Sequence, residues 1–365
     1  MAEFMDVFSD VTSLGRKLQT NEYNQSGLHP IIDQGQNDIA GYTDEIDGLF
    51  TDVPVIIFGD HTRVIKYVDK PFFLGADGVK VLKAKIPSPN YKYLYYCLQN
   101  AKIPNTGYNR HFKWIKEVQI PLPSPDYQFH IAAVLDKVSE LIAMRKKQLA
   151  KLDELVKSRF IELFGDPVSN PMNWNKLQLQ DVVTDDCTIS YGIVQTGDEQ
   201  ETGIPVFRPI DIVNRTPKLE ELKKTTKEIS DKYKRTILKG REILITVRAN
   251  IADTCIVGEE FAGCNVGRGI VPIRTKENII ILEFLKHQID SKGLNDAIKG
   301  LAKGIALVQL NMEDLREIEL IIPPLESQKN FISFANQIDK LIFKIREALE
   351  KLETLKKALM QKYFG

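Results

Sequence analysis

The segment Lys113–Gly165 recurs without a gap, 200 residues later, as Glu313–Gly365. The matches run from end to end: Glu117/Glu317, Pro123/Pro323, Gln128/Gln328, Leu141-Ile142/Leu341-Ile342, Leu149/Leu349, Lys151-Leu152/Lys351-Leu352, Leu155/Leu355, Lys157/Lys357 and Phe164-Gly165/Phe364-Gly365. A repeat of this length marks a duplicated structural unit. The chain is therefore expected to fold as two related halves, and such a molecule suits a two-part target.

Each copy opens with an apolar, strand-like run that proline stops, Val118–Pro123 and Ile318–Pro323. Proline neither continues a ladder nor enters a helix interior. Apolar residues then recur every seven positions. In the first copy these are Leu135, Ile142, Leu149, Val156 and Leu163, with Val138 and Leu152 between them. In the second, Ala335, Ile342 and Leu349 stand beside Ile338, Ile345, Leu352 and Leu359. That a/d spacing predicts two coiled-coil helices of about 36 residues, ~55 Å at 1.5 Å per residue. Gly165 and Gly365 sit where a C-cap would end them. Arg145, Arg159 and Lys356 interrupt the seam, and polar seam residues help fix partner and register. Because both helices belong to one chain, antiparallel pairing within the molecule is the simplest arrangement.

The remaining segments are rich in short β-type runs broken by turns, such as Val53–Phe58, Arg63–Val68, Ile243–Val247 and Cys255–Val257. They resemble each other weakly: Gly27–Ile32 parallels Gly203–Phe207, and Phe73–Val79 parallels Phe261–Val266. Each predicts a small α+β domain with a short helix (Tyr91–Asn100, Leu282–Ser291) before the strand that leads into a long helix. The expected organisation is a globular domain over 1–124, a long helix over 125–165, a second domain over 166–324 and a second helix over 325–365.

Chemistry is hard to place on this chain. It has no GxxxxGK[ST] loop, and neither Gly75–Gly78 nor Gly267–Gly269 gives the G-x-G-x-x-G spacing, so they read as turns. The histidines His29, His61, His111, His130 and His287 do not pair with each other or with Cys at ligand spacing, so no metal site is expected. The four cysteines form no CxxC pair and read as idle thiols of a reducing cytoplasm. No apolar run approaches the ~18 residues of a membrane span, and Met1–Asp10 lacks the features of a secretory signal. Net charge is zero, with 49 basic and 49 acidic side chains, so bulk charge argues neither for nor against a nucleic-acid partner.

What remains is recognition. Arg suits guanine edges, and Asn or Gln suits adenine. Turn-rich stretches carry these types at Arg16, Lys17, Gln34, Gln36, His61, Arg63, Asn105, Asn109 and Arg110, within Asn105–His111, in the first domain. The second carries Tyr191, Gln195, Arg208, Arg248, Asn250, Arg268, and Lys303 and Gln309 within Lys299–Gln309. On the residues alone, a coiled-coil adaptor that binds no DNA is the competing reading.

The order of elements resembles the specificity subunit of type I restriction–modification enzymes. The openings Ile120–Pro123 with Gln128 and Ile321–Pro324 with Gln328 carry the resemblance, as do the ends Leu163–Pro167 and Lys362–Gly365 and the domain start Asn173–Leu177. The first domain lacks a counterpart of the opening at Trp174, so its first strand is expected to be short. The resemblance implies a non-catalytic, DNA-binding subunit with no cofactor of its own. Two target-recognition domains each read half of a bipartite site on double-stranded DNA, and the paired helices set their spacing. It also implies two modification (methyltransferase) subunits using S-adenosylmethionine, and restriction subunits using ATP and Mg.

Overall fold

The computed structural model describes residues 1–107, 109–212, 218–304 and 308–365. The chain divides into two compact units, one of residues 1–147 and 345–365, the other of residues 148–344. Both long helices are continuous over 40 residues, Pro125–Phe164 and Leu325–Phe364, a turn longer than the heptads alone mark out. Pro125 supplies the extra start: at a first helical position its missing N–H costs nothing. Gly165 then ends the helix in the left-handed conformation (φ +74°), with its N–H bonded to Ile161 O at 2.8 Å.

In the first unit, a four-stranded antiparallel sheet runs in the order Phe8–Asp10, Val79–Ala84, Val55–Gly59, Ile65–Val68. A three-stranded sheet places His29–Ile32 between Gly41–Thr43 (antiparallel) and Phe73–Leu74 (parallel). Ala2–Glu3 pairs with Gln119–Ile120, a pair only two residues long. The helix Tyr91–Gln99 and the beginning of the first long helix bury their apolar faces on Phe4, Phe8, Ile56 and Leu82. Within this unit the two long helices run antiparallel: Tyr127 meets Tyr363, and Lys146 pairs with Glu353 at 3.0 Å. Leu135 is fully buried here, while Ile142, Ile345, Leu349 and Leu352 are half-buried.

The second unit repeats this topology with three strands in place of four in the larger sheet among the described residues. Glu242–Thr246 lies between Thr254–Val257 and Ile270–Ile273, all antiparallel. Ile204–Phe207 lies between Lys223–Thr225 (antiparallel) and Asn265–Val266 (parallel), and Lys176–Gln178 pairs with Glu319–Ile321. Its core takes in Leu149, Leu152, Val156, Phe160 and Phe164 from one long helix and Phe331, Ala335, Ile338 and Ile342 from the other. Phe160, Phe164, Phe284 and Phe331 form a ring cluster with centroids 4.9–6.3 Å apart. Such contacts add roughly 0.5–1.5 kcal/mol each beyond area burial.

Strand pairing corrects one internal parallel. Leu74 partners Ile32, and Val266 partners Phe207, so Phe73-Leu74 corresponds to Asn265-Val266 and not to Phe261-Ala262. A Phe followed by a turn glycine is common currency in such loops, whereas ladder partners fix register.

Candidate nucleic-acid interface

Matched backbone bonds tie the same loop segments to one another in each unit. Leu18 N–H donates to Leu74 O as Ile193 N–H donates to Val266 O, both at 2.8 Å. Gly75 N–H donates to Ile32 O as Gly267 N–H donates to Phe207 O, again at 2.8 Å. The hairpin turn is tied to the late loop in both, by His111 N–H to Asp60 O (2.7 Å) and by Leu310 N–H to Val247 O (3.0 Å). Loop backbone held this way meets a ligand already ordered, so less entropy is lost on binding.

In the second unit the cluster is built around Arg248. Its guanidinium donates to Gln309 Oε1, Gln309 Nε2 donates to Tyr191 Oη at 2.6 Å, and Tyr191 Oη donates to Leu310 O at 3.3 Å. Three candidate readers thus form one relay. Arg248 Nε is buried without a hydrogen-bond partner among the described residues. Asn250 stands exposed at the hairpin tip beside Ala249 and Ala252, both in the left-handed region (φ +60° and +65°). Arg268 is exposed, and its N–H is pinned to Ile193 O at 2.8 Å. A side chain at the next residue, Gly269, would strike Pro209 Cγ at 2.5 Å, so the Arg208–Asp211 turn is a direct neighbour. Arg208 itself is engaged by Asp211 in a two-pronged pair at 3.0 and 2.8 Å. Gln195 is exposed, and Lys303 pairs with Asp314 at 3.3 Å.

The first unit's cluster is tied more tightly to itself. Gln34 donates through Nε2 to Asp77 O (2.8 Å) and accepts from His61 N–H at Oε1 (3.0 Å), and its carbonyl accepts from Thr62 Oγ1 (2.6 Å). Arg63, at φ +61°, donates to Ile103 O at 3.3 Å. Arg16 pairs with Glu45 at 2.9 Å, and Lys17 lies 3.5 Å from Asp77. Asn105 Oδ1 accepts from Gly107 N–H (3.2 Å), and Asn109 donates to Thr106 O. Gln36 and Arg110 are exposed. Of the stretches named from the sequence, residues 108 and 305–307 lie outside the described residues.

Sequence reasoning missed the residues that hold these loops. Asp60, buried, accepts from Phe112 N–H at 2.7 Å and takes the His111 ring nitrogen Nδ1 on its carbonyl at 3.0 Å. Lys66 is buried beneath the Gln34 loop. For Lys66 the signal available was a lysine between Ile65 and Tyr67 in a strand.

Among the described residues no group of three or more His, Cys, Asp or Glu is placed to hold a metal ion, and no helix is long and apolar enough to cross a membrane. All four cysteines are buried, which pushes Cys97 and Cys255 up to about 12 and Cys264 to about 11.

Residues 5–154 and 171–355 match the family described as the type I restriction modification DNA specificity domain. The chain belongs to that family. Among relatives, it is 24% identical over 277 residues to the EcoBI specificity subunit of Escherichia coli, spanning 68% of this chain and 58% of that subunit. It is 27% identical over 331 residues to the putative MjaX specificity subunit of Methanocaldococcus jannaschii, spanning 82% of this chain and 73% of the other. The S subunit of a type I restriction–modification system from M. genitalium shares the fold, with a TM-score of 0.58 at 16% identity over 98% of this chain and 96% of that one.

Proposed function

We propose that this chain is the non-catalytic, DNA-reading subunit of a type I restriction–modification complex, each unit reading one half of a bipartite site. One observation carries the reading: the same set of loops, cross-tied by matched backbone bonds, occurs once in each unit and bears the Arg, Asn and Gln side chains that suit base edges. In the second unit, Arg268, Asn250 and Gln195 are the exposed readers, and Tyr191 with Gln309 aims Arg248. In the first, Gln36 and Arg110 are the readers, while Gln34, Arg63 and Arg16 shape the loops around them.

The neutral charge balance fits a subunit whose partners neutralise part of the DNA backbone. Modification subunits, two in number, would dock on apolar helix positions outside the seam, among which Phe129 (70% exposed) and Phe343 (63%) stand out. S-adenosylmethionine, ATP and Mg would belong to the modification and restriction subunits, and the cytoplasm is the compartment where such a complex meets DNA. DNA binding by this chain with its modification subunit tests the reading. A gapped target bound above unrelated DNA is expected, and equal affinity for all sequences would refute it.

A further inference from the structure

The first unit buries a lysine at a position where the second buries a cysteine. Lys66 faces Ile57 across the sheet, and Cys255 faces Leu244 at the corresponding place. Cys255 lies among Phe207, Leu222, Leu238 and Val257, an ordinary apolar cluster. Lys66 is 5% exposed beside strands of the same kind. An ammonium there is costly unless every N–H finds an acceptor.

Lysine offers three donors, and all of them turn to a single loop. Lys66 Nζ lies 2.8 Å from Asp33 O, 2.6 Å from Asn37 O and 3.6 Å from Asp33 Oδ1. Burial lowers its proton affinity, and Asp33 and Asp38 oppose that effect. The loop so held, residues 33–38, carries Gln34 and Gln36. Gln34 in turn ties the His61–Thr62 turn and the Asp77 carbonyl, so one buried charge supports three neighbouring segments. The second unit holds the equivalent stretch differently, with Arg208 folded onto Asp211 at the surface.

We propose that Lys66 is a positioning residue for the first half-site: its ammonium, clamped on Asp33 and Asn37, fixes the loop that presents Gln36 to DNA. Lys66 does not itself touch DNA. The inference rests on the DNA-reading function above, and it assigns the two half-sites unequal supports, one a buried cation and the other a surface ion pair.

The test uses the full chain with its modification subunit. Three variants are compared: Lys66→Met, which keeps the volume and removes the charge, Lys66→Arg, and Asp33→Asn, which keeps both carbonyl acceptors. Two readouts are taken, amide hydrogen exchange of the chain and the methylated motif on genomic DNA. For Lys66→Met, exchange at residues 33–38 is expected to rise at least about tenfold while strand Val55–Gly59 stays protected. One half of the motif becomes degenerate, and the other half is read as before. Lys66→Arg restores much of the lost discrimination, and Asp33→Asn loosens the same half to a smaller degree. If Lys66→Met does not fold, the Asp33→Asn result decides alone. Unchanged exchange at 33–38, an unchanged motif, or equal loss at both halves would overturn the proposal. A wild-type chain that yields no gapped motif would refute the DNA-reading function, whereas the exchange result would still decide what Lys66 holds.

Discussion

The two repeat copies place glutamines at corresponding positions with different burdens. Gln328 is fully buried: its Nε2 donates to Pro323 O (2.8 Å) and Ile279 O (3.2 Å), and its Oε1 accepts from Ile281 N–H (2.9 Å). Gln128, 8% exposed, makes only the first of these bonds, to Pro123 O at 2.9 Å. Replacing each by Leu keeps size and helix propensity but leaves three backbone groups unpaired in the second unit against one in the first. An orphaned buried group costs about 1–3 kcal/mol. Ile279 and Ile281 are half-buried, so water relieves part of the loss, and Gln328→Leu should cost about 3–5 kcal/mol against about 1 for Gln128→Leu. For a unit of this size that corresponds to roughly 6–20 °C against 2–4 °C in Tm. Trp114 belongs to the first unit and Trp174 to the second, so fluorescence of single-tryptophan variants reads each separately. Equal losses for the two substitutions would refute the argument that counted backbone partners set the cost.

Four further outcomes follow from the structure. Burial, and next the Lys286 ammonium, hold His287 down at about 4 with Asp290 opposing, so the unfolded chain binds its proton first. His287 therefore weakens the fold as pH falls from about 6.5 toward 4, by up to about 3 kcal/mol. Urea unfolding of His287→Leu should show a flatter loss across that window than wild type, and parallel curves would contradict it. Arg268→Ala should weaken DNA binding by about 1–3 kcal/mol and relax base discrimination in one half-site without changing Tm. Arg208→Ala should lower protease resistance around residues 208–212, because Arg208 is spent on Asp211; a reversed pattern would exchange their roles. Cys97, Cys255 and Cys264 should react with a thiol reagent only as the protein unfolds, and rapid labelling of the native chain would contradict their burial.

The repeat and its heptads made the helices legible, because a seven-residue apolar period has one helical meaning. Short strands were legible where β-branched runs met turns, as at Val55–Gly59 and Thr254–Val257. Register was not: Phe73 matched Phe261 by residue type, but the ladder pairs Leu74 with Ile32, 42 residues earlier, and Val266 with Phe207. The site was legible only as a set of loops. Gln34, Arg63 and Arg208 have the same chemistry as Gln36, Arg110 and Arg268, and only tertiary hydrogen bonds separate side chains that shape the loops from those that face outward. Lys66 escaped notice because a lone lysine in a strand ordinarily points to solvent.

The proposed role of this chain is to choose the DNA sequence, and to do so in two halves. Single-molecule sequencing of genomic DNA from cells expressing the modification subunit with the wild-type chain, with Arg268→Ala, or without the chain tests it most directly. A gapped two-part methylated motif that requires the chain is expected, with one half relaxed and the other intact in Arg268→Ala. Methylation that persists unchanged without the chain, or an Arg268→Ala chain that alters both halves alike, would contradict it.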